Sequence, residues 1–123
     1  MGNKYYTPDI ENIRVGYKCE REETIEGYKP YIFDLQGVRD YIQFEISDYK
    51  DFFIRTPYLT KEQIEAEGWE WMTTYFYKNH KRLNYDYTSN RLWVWDMFDN
   101  KYFDGYCPSV NEFRTINKLL NIK

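Results

Sequence analysis

The strongest constraint on the fold of this chain is a run of strand-like segments in its C-terminal half, cut by short polar turns. The segments are 69–78, 83–87, 91–98 and 102–106. Turn-forming residues separate them, at Asn79-His80-Lys81, Thr88-Ser89-Asn90 and Asp99-Asn100. Consecutive strands joined by such short turns pair in antiparallel fashion. The sequence therefore predicts a four-stranded antiparallel meander.

The segment 91–98 predicts a sheet that is apolar or aromatic on both faces. Leu92 and Val94 are expected to face the core. Side chains alternate across a strand, so the three residues around them belong to the opposite face: Arg91, Trp93 and Trp95.

The segment 69–78 has the same two-sided character. Treated as one strand, it points Met72 and Phe76 inward and places Trp71 and Tyr75 on the other face. A sheet with one face in water does not need aromatic residues on that face. We therefore expect the second face of the meander to be covered.

Two helices are predicted by their N-terminal caps. Thr60 followed by Gln63 has the capping-box pattern, and Gly68 ends that helix after about two turns. Ser109 and Glu112 repeat the capping pattern near the C-terminus. Apolar residues then recur at helical spacing, at Val110, Phe113, Ile116, Leu119 and Leu120.

In the N-terminal half, alternation predicts further strands. Residues 12–20 alternate strictly, 31–33 are expected to be extended, and 42–46 and 51–55 repeat the alternation. The fold class is therefore predicted as α+β: an antiparallel sheet meander with a short capped helix and a C-terminal amphipathic helix. The chain of 123 residues is expected to form a single α+β domain over residues 1–123.

Composition bounds the setting of the protein. No segment approaches the roughly 20 apolar residues that span a bilayer, and Met1 to Asp9 lacks a signal-peptide core, so a cytoplasmic location is expected. Cys19 and Cys107 are far apart in sequence and are expected to be buried thiols. The net charge of −3 provides no field to attract a phosphate backbone.

The chain offers few residues for catalysis or metal binding. Its single histidine, His80, lies in a polar turn, and a zinc site needs about four ligands at short spacings. The glycines do not cluster as phosphate-binding loops require. We therefore predict no catalytic residue, no metal and no cofactor. Asp96 and Asp104 leave a small enzyme with paired carboxylates as an alternative, although acidic residues at hairpin ends are ordinary turn formers.

Aromatic residues are the unusual feature, with 14 Tyr, 8 Phe and 4 Trp. Sheet-borne aromatic rings near cations can stack nucleic-acid bases, and large rings also favour protein interfaces. The third interpretation is that these rings fill the core. The residues predicted to bind a ligand or partner are Trp71, Tyr75, Arg91, Trp93 and Trp95.

Five segments of the chain carry a resemblance to known sequences: Lys4–Glu11, Arg14–Glu20, Ile54–Trp69, Tyr102–Gly105 and Ser109–Phe113. Together they resemble a family of small uncharacterised proteins from Bacteroides-type bacteria and their phages. The resemblance covers most of the chain and implies a phage or mobile-element setting. It assigns no functional residue.

These observations lead to three functional hypotheses. The first is a non-catalytic phage or prophage binding protein, expected to be an anti-defence inhibitor that sequesters a host protein or a small nucleotide signal. The second is a single-stranded nucleic-acid-binding protein that uses the aromatic sheet face, and the third is the small enzyme. No membrane partner is predicted. A symmetric homodimer through the aromatic second face is expected, because one self-complementary surface would close the patch.

Overall fold

The computed structural model describes residues 4–23, 27–46 and 53–122. The chain divides by its internal contacts into two compact units, the first reaching Pro57 and the second beginning at Tyr58. Each unit contains an antiparallel sheet and a buried apolar cluster of its own. The α+β class is confirmed. The expectation of a single domain stays a prediction.

The first unit contains a four-stranded sheet in the order β1-β4-β2-β3, with every pair antiparallel. Its strands are β1 (Tyr5–Tyr6), β2 (Lys18–Glu23), β3 (Gly27–Ile32) and β4 (Ile54–Pro57). The prediction of extended structure at 31–33 is therefore confirmed for Tyr31 and Ile32. In the segment 51–55, residues 51 and 52 lie outside the described residues, and Ile54 begins β4.

The strand predicted over residues 12–20 is wrong in its first half. A short 3-10 helix covers Ile10–Asn12, and β2 begins only at Lys18. Gly16 interrupts the alternation, since its φ of 90° turns the chain and its amide donates to the Phe33 carbonyl at 2.7 Å. Val15 is consequently 60 % exposed instead of facing the core.

The strand predicted over residues 42–46 is also wrong, because these residues belong to helix α1 (Leu35–Ile46). Asp34 caps this helix: its carboxylate accepts the Gly37 amide at 2.7 Å, and its carbonyl accepts the Val38 amide at 3.0 Å. Val38 and Tyr41, three positions apart, pack in the core of the unit. Ile42 and Ile46 are four positions apart in sequence, and this spacing fits one side of a helix as well as one side of a strand. The Asp34 cap decides for the helix.

The core of the first unit combines apolar packing with one buried polar pair. The Tyr17 and Thr56 hydroxyls lie 2.8 Å apart, and both residues are almost fully buried. Beside it, the Arg55 guanidinium lies 3.7 Å from the Tyr5 ring centroid and 4.0 Å from that of Tyr28. The buried apolar residues are Ile13, Tyr17, Cys19, Phe33, Tyr41 and Ile54.

The second unit contains a five-stranded antiparallel meander in sequence order. Its strands are β5 (Glu70–Trp71), β6 (Phe76–Lys78), β7 (Lys81–Asp86), β8 (Arg91–Asp96) and β9 (Lys101–Tyr106). The predicted meander is present with five strands instead of four. The extra strand arises because the segment 69–78 folds back on itself: Thr73 has a φ of 71°, and the Met72 amide donates to the Tyr75 carbonyl at 2.7 Å.

Helix α2 (Lys61–Ala66) confirms the first predicted cap. The Gln63 amide donates to the Thr60 hydroxyl at 3.2 Å, and the Thr60 amide donates to the Gln63 side chain at 3.1 Å. Both halves of the capping box are therefore present. Gly68 has a φ of 96°, the left-handed conformation that ends the helix.

Helix α3 (Val110–Leu119) begins at the predicted Ser109 cap, although the Ser109 hydroxyl accepts the Asn111 amide at 3.2 Å and not the amide three positions on. The helix ends in a Schellman motif. The Ile122 amide donates to the Asn117 carbonyl at 2.9 Å, and the amide of Asn121, whose φ is 57°, donates to Lys118 at 3.1 Å.

One face of the meander packs against both helices. In the strand register, Phe76, Leu83 and Val94 form a row of directly opposed residues in the middle of this face. Ile64 of α2 and Phe113 of α3 are completely buried in the same cluster. We call this side of the sheet the helix-covered face.

No helix in the described ranges is both long enough and apolar enough to cross a membrane.

Candidate partner-binding face

The face of the second sheet opposite the helix-covered face carries alternating aromatic and charged residues, and we call it the outer face. Cross-strand register places its members in three rows. They are Glu70, Tyr77, Arg82, Trp95 and Lys101 in the first row, Asn84, Trp93 and Asp104 in the second, and Asp86, Arg91 and Tyr106 in the third.

The placement predicted for β8 is confirmed. Leu92 and Val94 are buried in the core, whereas Arg91 is exposed and Trp93 and Trp95 are each partly exposed. The two indole rings therefore form the aromatic centre of the outer face, flanked by the exposed Tyr106. Neither Trp93 nor Trp95 belongs to the buried core clusters of the two units.

Each tryptophan of the outer face has an arginine beside its ring. The Arg91 Cζ lies 5.4 Å from the Trp93 ring centroid, and the Arg82 Cζ lies 5.9 Å from that of Trp95. These distances are within the range of cation–π attraction. Arg82 comes from β7, so strand pairing and not sequence proximity brings it to Trp95.

The cations of the outer face are paired with carboxylates. Asp104 accepts hydrogen bonds from Arg91 at 2.6 Å and from Lys101 at 3.1 Å, while Arg82 pairs with Asp99. The hydrogen bond from Arg91 and that from Lys101 hold the pKa of Asp104 below its ordinary value. The face consequently presents aromatic surface with locally balanced charge.

Trp71 and Tyr75, the other two residues predicted to bind, lie apart from this centre. Trp71 pairs with Phe76, so it belongs to the helix-covered face, and its ring centroid is 4.8 Å from that of Phe76. The Lys61 ammonium lies 5.3 Å from the Trp71 ring. Tyr75 is partly buried in the turn before β6. The prediction that Trp71 shares a face with Trp93 is wrong, because it treated residues 69–78 as one strand.

A protruding aromatic residue next to the outer face was missed from the sequence. Phe98 lies in the loop between β8 and β9, and 87 % of its surface is exposed. The sequence pattern assigned it to the end of a strand. The signal that could have located it is the short polar segment around it, since Asp96 and Asn100 are typical turn residues.

Hydrogen bonds to Asp96 organise the β8–β9 loop. The Asp96 carboxylate accepts the Phe98 amide at 2.8 Å, the Asn100 amide at 2.9 Å and the Asn100 side-chain amide at 2.8 Å. The Asp96 amide donates in turn to the Asn100 carbonyl at 2.9 Å. The Asn100 side chain contributes most to lowering the pKa of Asp96. Phe98 is therefore presented on a loop whose backbone is already ordered.

Asp96 and Asp104, the two carboxylates considered for an enzyme, accept hydrogen bonds within the second unit. A general acid in a carboxylate pair needs a raised pKa, whereas hydrogen bonds lower the pKa of both Asp96 and Asp104. Asp96 bonds its own loop, and Asp104 bonds Arg91 and Lys101. This geometry gives the enzyme alternative no support.

Neither cysteine is placed for chemistry. Both Cys19 and Cys107 are buried free thiols, as predicted. Burial raises the pKa of Cys19 to about 12, and burial raises that of Cys107 as well. Reactive cysteines have a lowered pKa and an accessible sulfur.

His80 is exposed, with its Nδ1 3.4 Å from the Tyr77 hydroxyl. Within the described part of the chain, no three His, Cys, Asp or Glu residues are grouped to hold a metal ion.

The second unit also contains a cleft of about 330 Å³ near the C-terminal ends of α2 and α3. Its lining is mainly cationic and amide-bearing: Glu67, Lys78, Arg114, Asn117, Lys118, Asn121 and Ile122. The sequence pattern did not indicate that these residues form a site together, because they come from three separate elements.

No protein family, curated protein or solved structure was found to match this chain. The resemblance to small proteins of Bacteroides-type bacteria and their phages stays a prediction.

Proposed function

We propose that this chain is a non-catalytic binding protein that contacts a protein partner through the outer face and the adjacent β8–β9 loop. The observation that carries the proposal is the 87 % exposure of Phe98 on a loop ordered by Asp96. Asp99 of the same loop pairs with Arg82, which links the loop to the Trp95 end of the outer face.

The energetics of association favour such an arrangement. Burying a phenylalanine side chain contributes roughly 1.5–3 kcal/mol, which makes Phe98 a strong anchor. Because the loop backbone is already hydrogen-bonded, little conformational entropy is lost when a partner encloses the ring. Trp, Tyr and Arg are the residues most enriched at binding hot spots, and the outer face combines all three at Trp93, Tyr106 and Arg91.

The balanced charge favours a protein over single-stranded nucleic acid. Binding to a phosphate backbone requires cations that can release its counterions. The outer-face cations Arg82, Arg91 and Lys101 are instead engaged by Asp99 and Asp104. The nucleic-acid alternative predicts quenching of tryptophan fluorescence by mixed-sequence oligonucleotides, weakened by salt. The small-nucleotide form of the hypothesis predicts heat on calorimetric titration with cyclic nucleotides.

The proposal for the biological setting rests only on the sequence resemblance. We propose that the protein acts for a phage or prophage, as an inhibitor that sequesters a host protein in anti-defence. The partner then comes from a Bacteroides-type host.

Site-specific photo-crosslinking tests the protein-binding proposal. Phe98 is replaced by benzoylphenylalanine, and the matched control carries the same residue at Leu119, which is 79 % exposed on α3. In host lysate the Phe98 probe should yield one discrete crosslinked band that the Leu119 probe lacks. Excess unlabelled wild-type protein should suppress this band, and excess Phe98→Ser protein should not. Equal crosslinking from both positions would refute the proposed face.

A further inference from the structure

The cleft at the C-terminal ends of α2 and α3 concentrates positive charge on the helix-covered side of the second unit. Lys78 comes from β6, and Arg114 and Lys118 come from successive turns of α3. Glu67 is the only carboxylate among the residues that line it. Three cations therefore face one anion, so the lining has an excess of positive charge.

Two of the three cations, Lys78 and Arg114, already bond to Glu67. Lys78 donates to the Glu67 carbonyl at 2.6 Å and so satisfies the end of α2, and Arg114 pairs with the Glu67 carboxylate through its Nε. The Arg114 guanidinium keeps its terminal amino groups for a second partner. Within the described residues, Lys118 forms no ion pair.

Asn117 is the observation that points to a ligand. It is only 9 % exposed and lines the cleft, yet its side-chain amide makes no hydrogen bond to any described residue. Its amide nitrogen is therefore available as a donor to a group bound in the cleft. The end of α3 does not need this amide, because the Schellman motif already supplies donors to the Asn117 and Lys118 carbonyls.

We propose that this cleft binds a phosphate group, either free or carried by a small metabolite. A phosphate oxyanion offers several acceptor oxygens in a tetrahedral array, which matches donors that approach from different elements. The terminal nitrogens of Arg114, the Lys118 ammonium and the Asn117 amide supply these donors. Glu67 holds Arg114 from the side, as acidic neighbours commonly orient phosphate-binding arginines. The volume of about 330 Å³ lies at the lower end of the range for small-molecule sites.

Calorimetric titration tests the site with inorganic phosphate, pyrophosphate and AMP as separate probes, and with acetate as a control anion. For so small a ligand as phosphate, a dissociation constant on the order of 1 mM is expected. Lys118→Gln, at an exposed position, should weaken binding about tenfold or more by removing one charge-assisted hydrogen bond. The charge-matched control is Arg39→Gln, at an exposed position of α1, which should bind phosphate as wild type does.

The Glu67→Gln variant distinguishes an anion site from a cation site. It removes the only negative charge of the lining, while the glutamine oxygen can still accept a hydrogen bond from Arg114. Phosphate binding should therefore tighten several-fold, whereas a cation site would lose affinity. Circular dichroism shows that each variant is folded before titration. Equal affinities for phosphate and AMP identify the free anion as the ligand, and tighter binding of AMP identifies an organic phosphate.

Three results would overturn the proposal. They are the absence of saturable binding of all three probes at 20-fold excess over about 1 mM, unchanged affinity in Lys118→Gln, or tighter binding of acetate than of phosphate. None of these results bears on Phe98 crosslinking, because the cleft and the outer face share no residue.

Discussion

The buried hydroxyl of Tyr85 provides a quantitative test of the second unit. Tyr85 is 9 % exposed, its hydroxyl donates to the Cys107 carbonyl at 2.7 Å, and the Asn90 side-chain oxygen lies 3.2 Å away. Tyr85→Phe keeps the ring and removes the donor. The Cys107 carbonyl then loses a buried hydrogen bond, which lowers the free energy of unfolding by about 1–3 kcal/mol.

Urea denaturation measures this loss. With an m-value of about 2 kcal/mol/M, the unfolding midpoint of Tyr85→Phe should fall by roughly 0.5–1.5 M. The matched control is Tyr87→Phe, because the Tyr87 ring centroid lies 5.1 Å from that of Tyr85 but its side chain is 53 % exposed. The control should change the free energy of unfolding by less than about 0.5 kcal/mol.

The pH dependence gives a second readout of the same group. Burial raises the pKa of Tyr85 above its ordinary value of 10.0. The folded state therefore favours the protonated phenol, so its contribution to stability is complete below the unfolded pKa and is lost as the pH rises above it. The decline of stability above pH 10 should be flatter in Tyr85→Phe than in wild type. Equal urea midpoints for the Tyr85 and Tyr87 variants would refute the reasoning.

Three further perturbations test the core, the thiols and the outer face. Leu83→Ala, at a completely buried position, should lower the free energy of unfolding by about 2–5 kcal/mol in urea titrations, and a loss below about 1 kcal/mol would contradict its central place. Cys19 and Cys107 should react with a thiol reagent only after unfolding, since burial raises both pKa values; rapid labelling of native protein would contradict their placement. If the outer face pairs with a second copy, light scattering should give twice 15.3 kDa for wild type and one chain for the double variant Trp93→Ser and Trp95→Ser. A wild-type mass of one chain at tens of micromolar would exclude the dimer.

The features that could be predicted from sequence are those with local causes. The caps at Thr60 and Ser109 depend on side chains within three positions of the helix start. Strands β7, β8 and β9 were located because short polar turns separate them. The alternation in β8 sufficed to place Trp93 and Trp95 opposite Leu92 and Val94.

The errors occurred where a local pattern fits two structures. The apolar residues of α1 fit a strand as well as a helix, and Asp34 was not recognised as its cap. The turn between β5 and β6 contains Thr73 in a left-handed conformation, for which the usual glycine or asparagine signal is absent. The face assigned to Trp71 was wrong for this reason.

The sequence by itself determined which side chains alternate and where the capped helices begin, because these properties depend on residues a few positions apart. Only the tertiary structure decided which charges meet. Strand register brings Arg82 to Trp95 and Arg91 to Asp104, and the packing of α3 against the sheet brings Arg114 to Glu67 across 47 positions of the chain. Such contacts depend on long-range pairing and packing, whose geometry no local pattern specifies.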